Sequence, residues 1–283
     1  MHELKLTNDF VFKKVFGKKG NESILKSLLE AVLKIKITWI KVQTEVELER
    51  IMEEDKLGIL DIIAVIDDNI TVDIEMQMRD QFNMIERSLF YWAGLYHTGL
   101  QKNEKYIENK KAITINILNF DLFKEGPYHE KVELRRNFNN IKLTDKLEMH
   151  FIQLNKFIKE GKKEENIDLW NWLTFICNKD KEGVKMAIEE NKEIKKAQEE
   201  LEYLTGDEAV RRIAFLREKY ERDYATNMSG ARKEGIKEGL KEGERKKAIE
   251  IAKEMLAKKL DIDLIKEITK LSQEEIEKLI SKK

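Results

Sequence analysis

The chain has 283 residues, 41% of them apolar and 38% charged, with a formal net charge of −1. That length supports a large hydrophobic core, and a charge fraction well above the ~25% of an ordinary domain predicts long solvated helices. Near neutrality excludes a global field that would draw the molecule to nucleic acid or membrane, so any such binding must use a local patch; no apolar run approaches the ~18 residues of a spanning helix.

The first residues, MHELKLTNDF, lack the apolar stretch of a secretory signal. TNDFVFKKVFG reads as a capped helix: Thr7 or Asn8 caps, Phe12, Val15 and Phe16 share a face, and Gly17 stops it. NESILKSLLEAVL is a second amphipathic helix with Ile24, Leu25, Leu28, Leu29 and Val32 on one stripe. Residues 37–48 alternate as a strand does, and two further strands follow over 58–66 and 70–79. FNMIERSLFYWAGLYHTGL predicts a long, largely buried helix, and KAITINILNF and LEMHFIQL predict strands. From NIDLWNWLTFICNKD onward the chain reads as entirely helical.

Composition shifts near residue 228, where SGARKEGIKEGLKEGERKK sets Gly235, Gly239 and Gly243 four apart between Lys-Glu pairs. A mid-helix glycine costs about 1 kcal/mol against alanine. The segment is therefore either a flexible linker or a helix whose small-residue stripe admits a close partner. AIEIAKEMLAKKLDIDLIKEITKLSQEEIEKL then predicts two or three short helices, with Ser272 and Glu275 spaced as a capping box. The fold class is α/β: a mixed central sheet flanked by helices, then an all-helical C-terminal third. The expected organisation is a core over 1–160, a helical extension over 161–228 and a glycine-repeat tail over 229–283. The lone Cys177 excludes an internal disulfide and a multi-thiolate zinc site, and His2, His97, His129 and His150 lack metal-ligand spacing. The expectation is a soluble, cytoplasmic protein.

Within GILDIIAVIDDNITVDIEMQMRDQ, the first strand is apolar on both faces except at Asp61, which marks a central strand. The second places Val72, Ile74, Met76 and Met78 on one face and Thr71, Asp73, Glu75, Gln77 and Arg79 on the other. A three-residue loop over 67–69 sets Ile66 against Ile70 and Asp61 against Glu75. A two-residue loop would set Asp61 among methyl groups, the costlier outcome. Paired carboxylates repel unless a cation or shared proton intervenes, and hard oxygen ligands suit Mg²⁺ or Mn²⁺. The competing reading makes Asp73 and Glu75 ordinary polar residues of a half-exposed strand.

An Asp in one strand followed by Glu-x-Gln in the next resembles the PD-(D/E)XK nuclease superfamily. The ordered segments LTNDFVFKKVFG, GILDIIAVI, VDIEMQ, ERSLFYWAGLY, AITINILNF, MHFIQLNKF and LWNWLTFI, with the glycine-repeat tail, resemble its Rpn (recombination-promoting nuclease) and PD-(D/E)XK transposase branch over essentially the whole chain. The resemblance implies a restriction-endonuclease-like core and a metal-dependent DNA endonuclease associated with recombination or mobile elements. Asp61 and Glu75 would be the metal ligands, and Asp61, Glu75 and Gln77 the catalytic set. Gln77 stands where many members carry Lys, so the missing cation would come from Lys13, Arg79 or Arg87, or the metal would supply most of the catalysis. Asp9 is a further acidic candidate, and Arg87 and Tyr91, four apart on a helix, are candidates to line the cleft. Expected partners are DNA, approached through Lys13, Lys14, Lys18 and Lys19 or Lys102, Lys105, Lys110 and Lys111, and a second copy through the tail; in a chain this rich in charge, either lysine cluster alone also reads as a solvated face, and no membrane is expected. The alternative is a non-catalytic nuclease fold that binds DNA or assembles through its tail.

Overall fold

The computed structural model describes residues 4–47, 59–100, 103–160 and 166–281. They fall into two compact units, Met1–Glu221 and Arg222–Lys283.

In the first unit, α1 (Asp9–Phe16) starts where the Asn8 side chain accepts from the amides of Phe10 and Val11 at 3.1 and 3.3 Å, a cap worth about 1 kcal/mol. Asn8 is itself buried, and its Nδ2 donates to the Ala214 carbonyl at 3.2 Å. α2 (Glu22–Leu33) buries Ile24, Leu25, Leu28, Leu29 and Val32, the predicted stripe. The sheet comprises β1 (Ile40–Glu47), β2 (Ile59–Ile66), β3 (Ile70–Gln77), β4 (Lys111–Leu118), β5 (His129–Val132) and β6 (Leu147–Gln153), in the order β1-β2-β3-β4-β6-β5. β1, β2 and β3 form an antiparallel meander, β3, β4 and β6 run parallel, and β5 pairs antiparallel at the edge. α3 (Met84–Thr98) is the crossover that the parallel β3–β4 pair requires. The main core joins one sheet face to α1, α2, α5 (Ile167–Cys177) and α7 (Lys192–Gly206), with Trp172 and Phe16 fully buried. α4 (Leu154–Glu160) and α6 (Lys181–Glu190) complete this layer. Two smaller clusters fill the other face beneath α3.

The hairpin register is the predicted one: Ile66 pairs with Ile70. Asp67 and Asp68 adopt left-handed φ of 46° and 58°, which short polar side chains tolerate. The Asp67 carboxylate accepts from the Thr38 and Trp39 amides and the Thr38 hydroxyl at 3.1, 2.7 and 2.5 Å, tying the loop to the start of β1.

Two expectations are corrected, and one strand has no counterpart in the sequence reading. α3 is not largely buried: it sinks only Met84, Ser88 and Leu95, while Ile85, Leu89 and Phe90 are exposed. Its hydrophobicity is spread around the helix and only one stripe meets the sheet. β3 ends at Gln77, where its partner β4 ends at Leu118, so Met78 and Arg79 lie beyond the strand. β5 was unforeseen because HEKV carries no apolar alternation and pairs on one side only.

α8 (Glu208–Ala257) is one continuous helix through Gly235, Gly239 and Gly243, which decides against a flexible linker. In the second unit its last turns, α9 (Ile262–Thr269) and α10 (Gln273–Ser281) bury Ala252, Met255, Ile265, Leu271 and Ile276 together. Asp261 caps α9. The predicted capping box opens α10: the Ser272 amide donates to Glu275 at 2.8 Å, and the Glu275 amide to the Ser272 hydroxyl at 3.3 Å.

Candidate active site

Alternation along β3 sends Val72, Ile74 and Met76 into the main core, which leaves Asp73, Glu75 and Gln77 on the α3 side of the sheet. Asp73 and Glu75 are each only 1% exposed, so neither belongs to an ordinary solvated strand face. A carboxylate this deep must be compensated by hydrogen bonds or charge. The parallel register sets Thr114 of β4 beside Asp73 and Asn116 beside Glu75. Asn116 Oδ1 in turn accepts from Ser88 Oγ of α3 at 3.2 Å. Ser88 and Asn116 escaped the sequence reading, although an Asn inside ITINIL was a signal of the same kind as Asp61.

Glu75, Gln77, Arg87 and Tyr91 come together. Gln77 Nε2 donates to Glu75 Oε2 at 2.9 Å, and Gln77 Oε1 accepts from Arg87 Nη1 at 3.2 Å. Arg87 Nη2 reaches the same Glu75 oxygen at 3.3 Å and the Tyr91 hydroxyl at 3.5 Å. The guanidinium carbon lies 5.5 Å from the Tyr91 ring centroid. Burial, and then the negative charge of Glu75, raise the Tyr91 phenol above its ordinary pKa. The amide thus bridges a carboxylate and a cation, and Arg87 delivers positive charge at the position where Gln77 itself is neutral.

Asp61 lies on β2. The β2–β3 pairs run from Ile66 opposite Ile70 to Ile62 opposite Ile74; the Asp61 side chain lies outside the described residues. Among the described residues no group of three His, Cys, Asp or Glu forms a cage for a metal ion. Mg²⁺ favours a site of one or two carboxylates completed by water and substrate phosphate, and the Glu75 carboxylate offers hard oxygens of that kind.

These side chains border a cleft of about 310 Å³ lined by Asp9, Glu75, Gln77, Arg79, Arg87, Arg217, Tyr220 and Glu221, among others. Arg79 Nε lies 2.8 Å from Glu221 Oε2 and its guanidinium carbon 5.5 Å from the Tyr220 ring centroid. Asp9 caps the first turn of α1 by accepting from the Phe10 amide and is ion-paired with Arg217. Lys13 instead borders a separate groove with Phe10, Lys14, Lys18 and Tyr203. Arg217, Tyr220 and Glu221 carried no sequence signal, because only the packing of α8 brings them to a strand more than 130 residues earlier.

On the opposite sheet face a polar row runs from Lys111 Nζ to Glu148 Oε2 (2.6 Å), from Glu148 Oε1 to His150 Nε2 (2.8 Å), and from His150 Nδ1 to His129 Nε2 (2.8 Å). Lys111 and His150 hold the Glu148 carboxyl down at about 2 in spite of burial, and burial with the neighbouring His150 holds His129 at about 3. Burial pushes the Cys177 thiol up to about 12, which removes it as a nucleophile.

A family model described as PD-(D/E)XK nuclease family transposase matches residues 6–231. A second, described as Rpn/YhgA-like nuclease family, C-terminal HTH domain, matches residues 245–281. No curated protein and no solved structure matches the chain.

Proposed function

The chain belongs to the PD-(D/E)XK nuclease family transposases, and from that premise we propose that it is a metal-dependent DNA endonuclease whose site is Asp61, Glu75 and Gln77. The observation that carries this reading is Glu75: a buried carboxylate at a polar cleft, bridged by one amide to an arginine. Asp61 and Glu75 would hold Mg²⁺ or Mn²⁺. When bound, such an ion neutralises phosphate charge and lowers the pKa of coordinated water. Arg87 stabilises charge developing on the phosphoryl oxygens, the task for which a neutral amide is unsuited. Gln77 fixes the orientation of both Glu75 and Arg87 through its two hydrogen bonds.

The test is plasmid nicking in Mg²⁺, Mn²⁺ or EDTA by the wild type, Asp61→Ala and Glu75→Ala, with circular dichroism to verify folding. Cleavage is expected only in the wild type with metal; cleavage in EDTA by folded Asp61→Ala and Glu75→Ala would remove the site. The Arg87–Glu75 pair favours a second reading, in which the carboxylate is neutralised without metal and the fold only binds DNA. DNA binding without nicking in any metal would select it.

The C-terminal helix-turn-helix domain belongs to a class that lays its second helix in the major groove. Here that helix, α10, exposes Glu274 and Glu277 against Lys278, so its approach to phosphates rests on Lys258, Lys259, Lys266 and Lys270 around it.

Self-association through α8 is part of the proposal. Around this helix, rows at four-residue spacing follow one another: Lys233, Lys237 and Lys241; Glu234, Glu238 and Glu242; Gly235, Gly239 and Gly243; Ile236 and Leu240. Ile236 and Leu240 are 54% and 64% exposed. The glycine and aliphatic rows form one face with glutamates along one flank and lysines along the other. Two such faces paired in parallel set each lysine flank against a glutamate flank, whereas antiparallel pairing sets like against like. The expected pair is a parallel homodimer.

A further inference from the structure

Two arginines of the cleft are held by carboxylates. Arg79, just beyond β3, pairs with Glu221, and Arg217 pairs with Asp9. Glu221 and Arg217 sit one turn apart on α8, so this one helix brings both an anion and a cation to the cleft. A guanidinium fork matches a carboxylate and a phosphate equally well. The Arg79–Glu221 contact is a close ion pair, and burial raises the Glu221 carboxyl above its ordinary pKa more than Arg79 lowers it. A carboxylate held by one partly exposed ion pair is an exchangeable occupant of such a site. Tyr220 backs the Arg79 guanidinium and keeps it oriented when its anion is exchanged.

We propose that Arg79 and Arg217 form a subsite for the DNA phosphodiester backbone beside the scissile bond, and that Glu221 and Asp9 occupy it as carboxylate stand-ins until the strand displaces them. The subsite rests on the reading of the cleft as a nuclease site. It makes Glu221 a competitor of substrate: removing its charge removes one anion that phosphate must displace from Arg79.

The test is fluorescence anisotropy of a short labelled duplex with the full chain in EDTA, over a range of salt. Glu221→Gln is expected to bind about three- to tenfold tighter than wild type, consistent with the modest strength of partly exposed pairs. Glu221→Ala, a second variant that removes the contact altogether, is expected to do the same. Arg79→Gln is expected to bind about tenfold more weakly, with the slope of log K against log salt reduced by about 1. The double variant is expected to bind more weakly than Glu221→Gln, because Glu221 acts mainly through Arg79, the arginine it contacts. Plasmid nicking in Mg²⁺ is run alongside. Nicking by wild type, with all variants binding equally, overturns the subsite and leaves the nuclease reading standing. The predicted affinity order without nicking in any metal supports the subsite and removes the nuclease. No measurable duplex binding by any form overturns the subsite.

Discussion

At the scale of residues, the site turns on Gln77, whose amide donates to Glu75 and accepts from Arg87. Removal of such an oriented group costs about 10²-fold in rate. Gln77→Ala is therefore expected to lower single-turnover cleavage strongly with little change in DNA affinity, which arises from phosphate contacts elsewhere. Gln77→Lys is the sharper variant. Arg87 already lies 3.2 Å from the Gln77 oxygen, so a second cation there repels the first and the rate falls. Wild-type rates for Gln77→Lys would show that Arg87 is not the cation of the site. The acidic strand was legible from alternation alone, and the loop length set its register. That Arg87 is hydrogen-bonded to Gln77 was not, because it depends on which turn of α3 faces the strand.

At the scale of elements, α8 makes the prediction on self-association. Around Gly235, Gly239 and Gly243 there is open space: a Cβ built on each meets nothing within 4 Å. A bulky side chain at Gly239 is therefore harmless in the monomer, and each glycine replaced by a helix former gains up to about 1 kcal/mol of helix propensity. Gly239→Leu is expected to retain helicity by circular dichroism and to shift light scattering from dimer to monomer at tens of micromolar. A chain ending at residue 228 is expected to be monomeric as well. A wild-type monomer at that concentration would show the glycine face to be merely solvated. The caps of α1 and α10 and the stripe of α2 were readable because they depend on neighbours within one turn. The edge strand β5 was not, since the partner that makes it a strand is β6, some 20 residues on.

At the scale of the whole molecule, the row Lys111–Glu148–His150–His129 ties β4, β5 and β6 together and sets a response to acid. His150 and Lys111 hold the Glu148 carboxyl down at about 2, below the usual 4.5, so its contribution is complete above 4.5 and is lost as pH falls towards 2. His129 titrates at about 3 against 6.5; between those values the unfolded chain binds a proton that the folded one refuses, and stability again falls with pH. Both signs agree. The melting temperature is expected to decline from pH 7 to pH 4, and His129→Phe is expected to flatten that decline between pH 6.5 and pH 4. An unaltered slope in His129→Phe would assign the acid response to other groups. The packing of α8 has a further consequence, in the time domain of synthesis. The first wall of the cleft is made once the chain has reached Arg87, but its other wall ends at Glu221, 134 residues later. At about 5–20 residues per second, that interval is roughly 7–27 s. Throughout it the nascent chain holds Glu75 without Arg217 or Glu221 beside it. The buried Asn8 likewise waits for the Ala214 carbonyl, 206 residues on. A ribosome-bound chain therefore carries the acidic strand long before it carries a finished cleft, and the candidate site is among the last parts of its unit to mature.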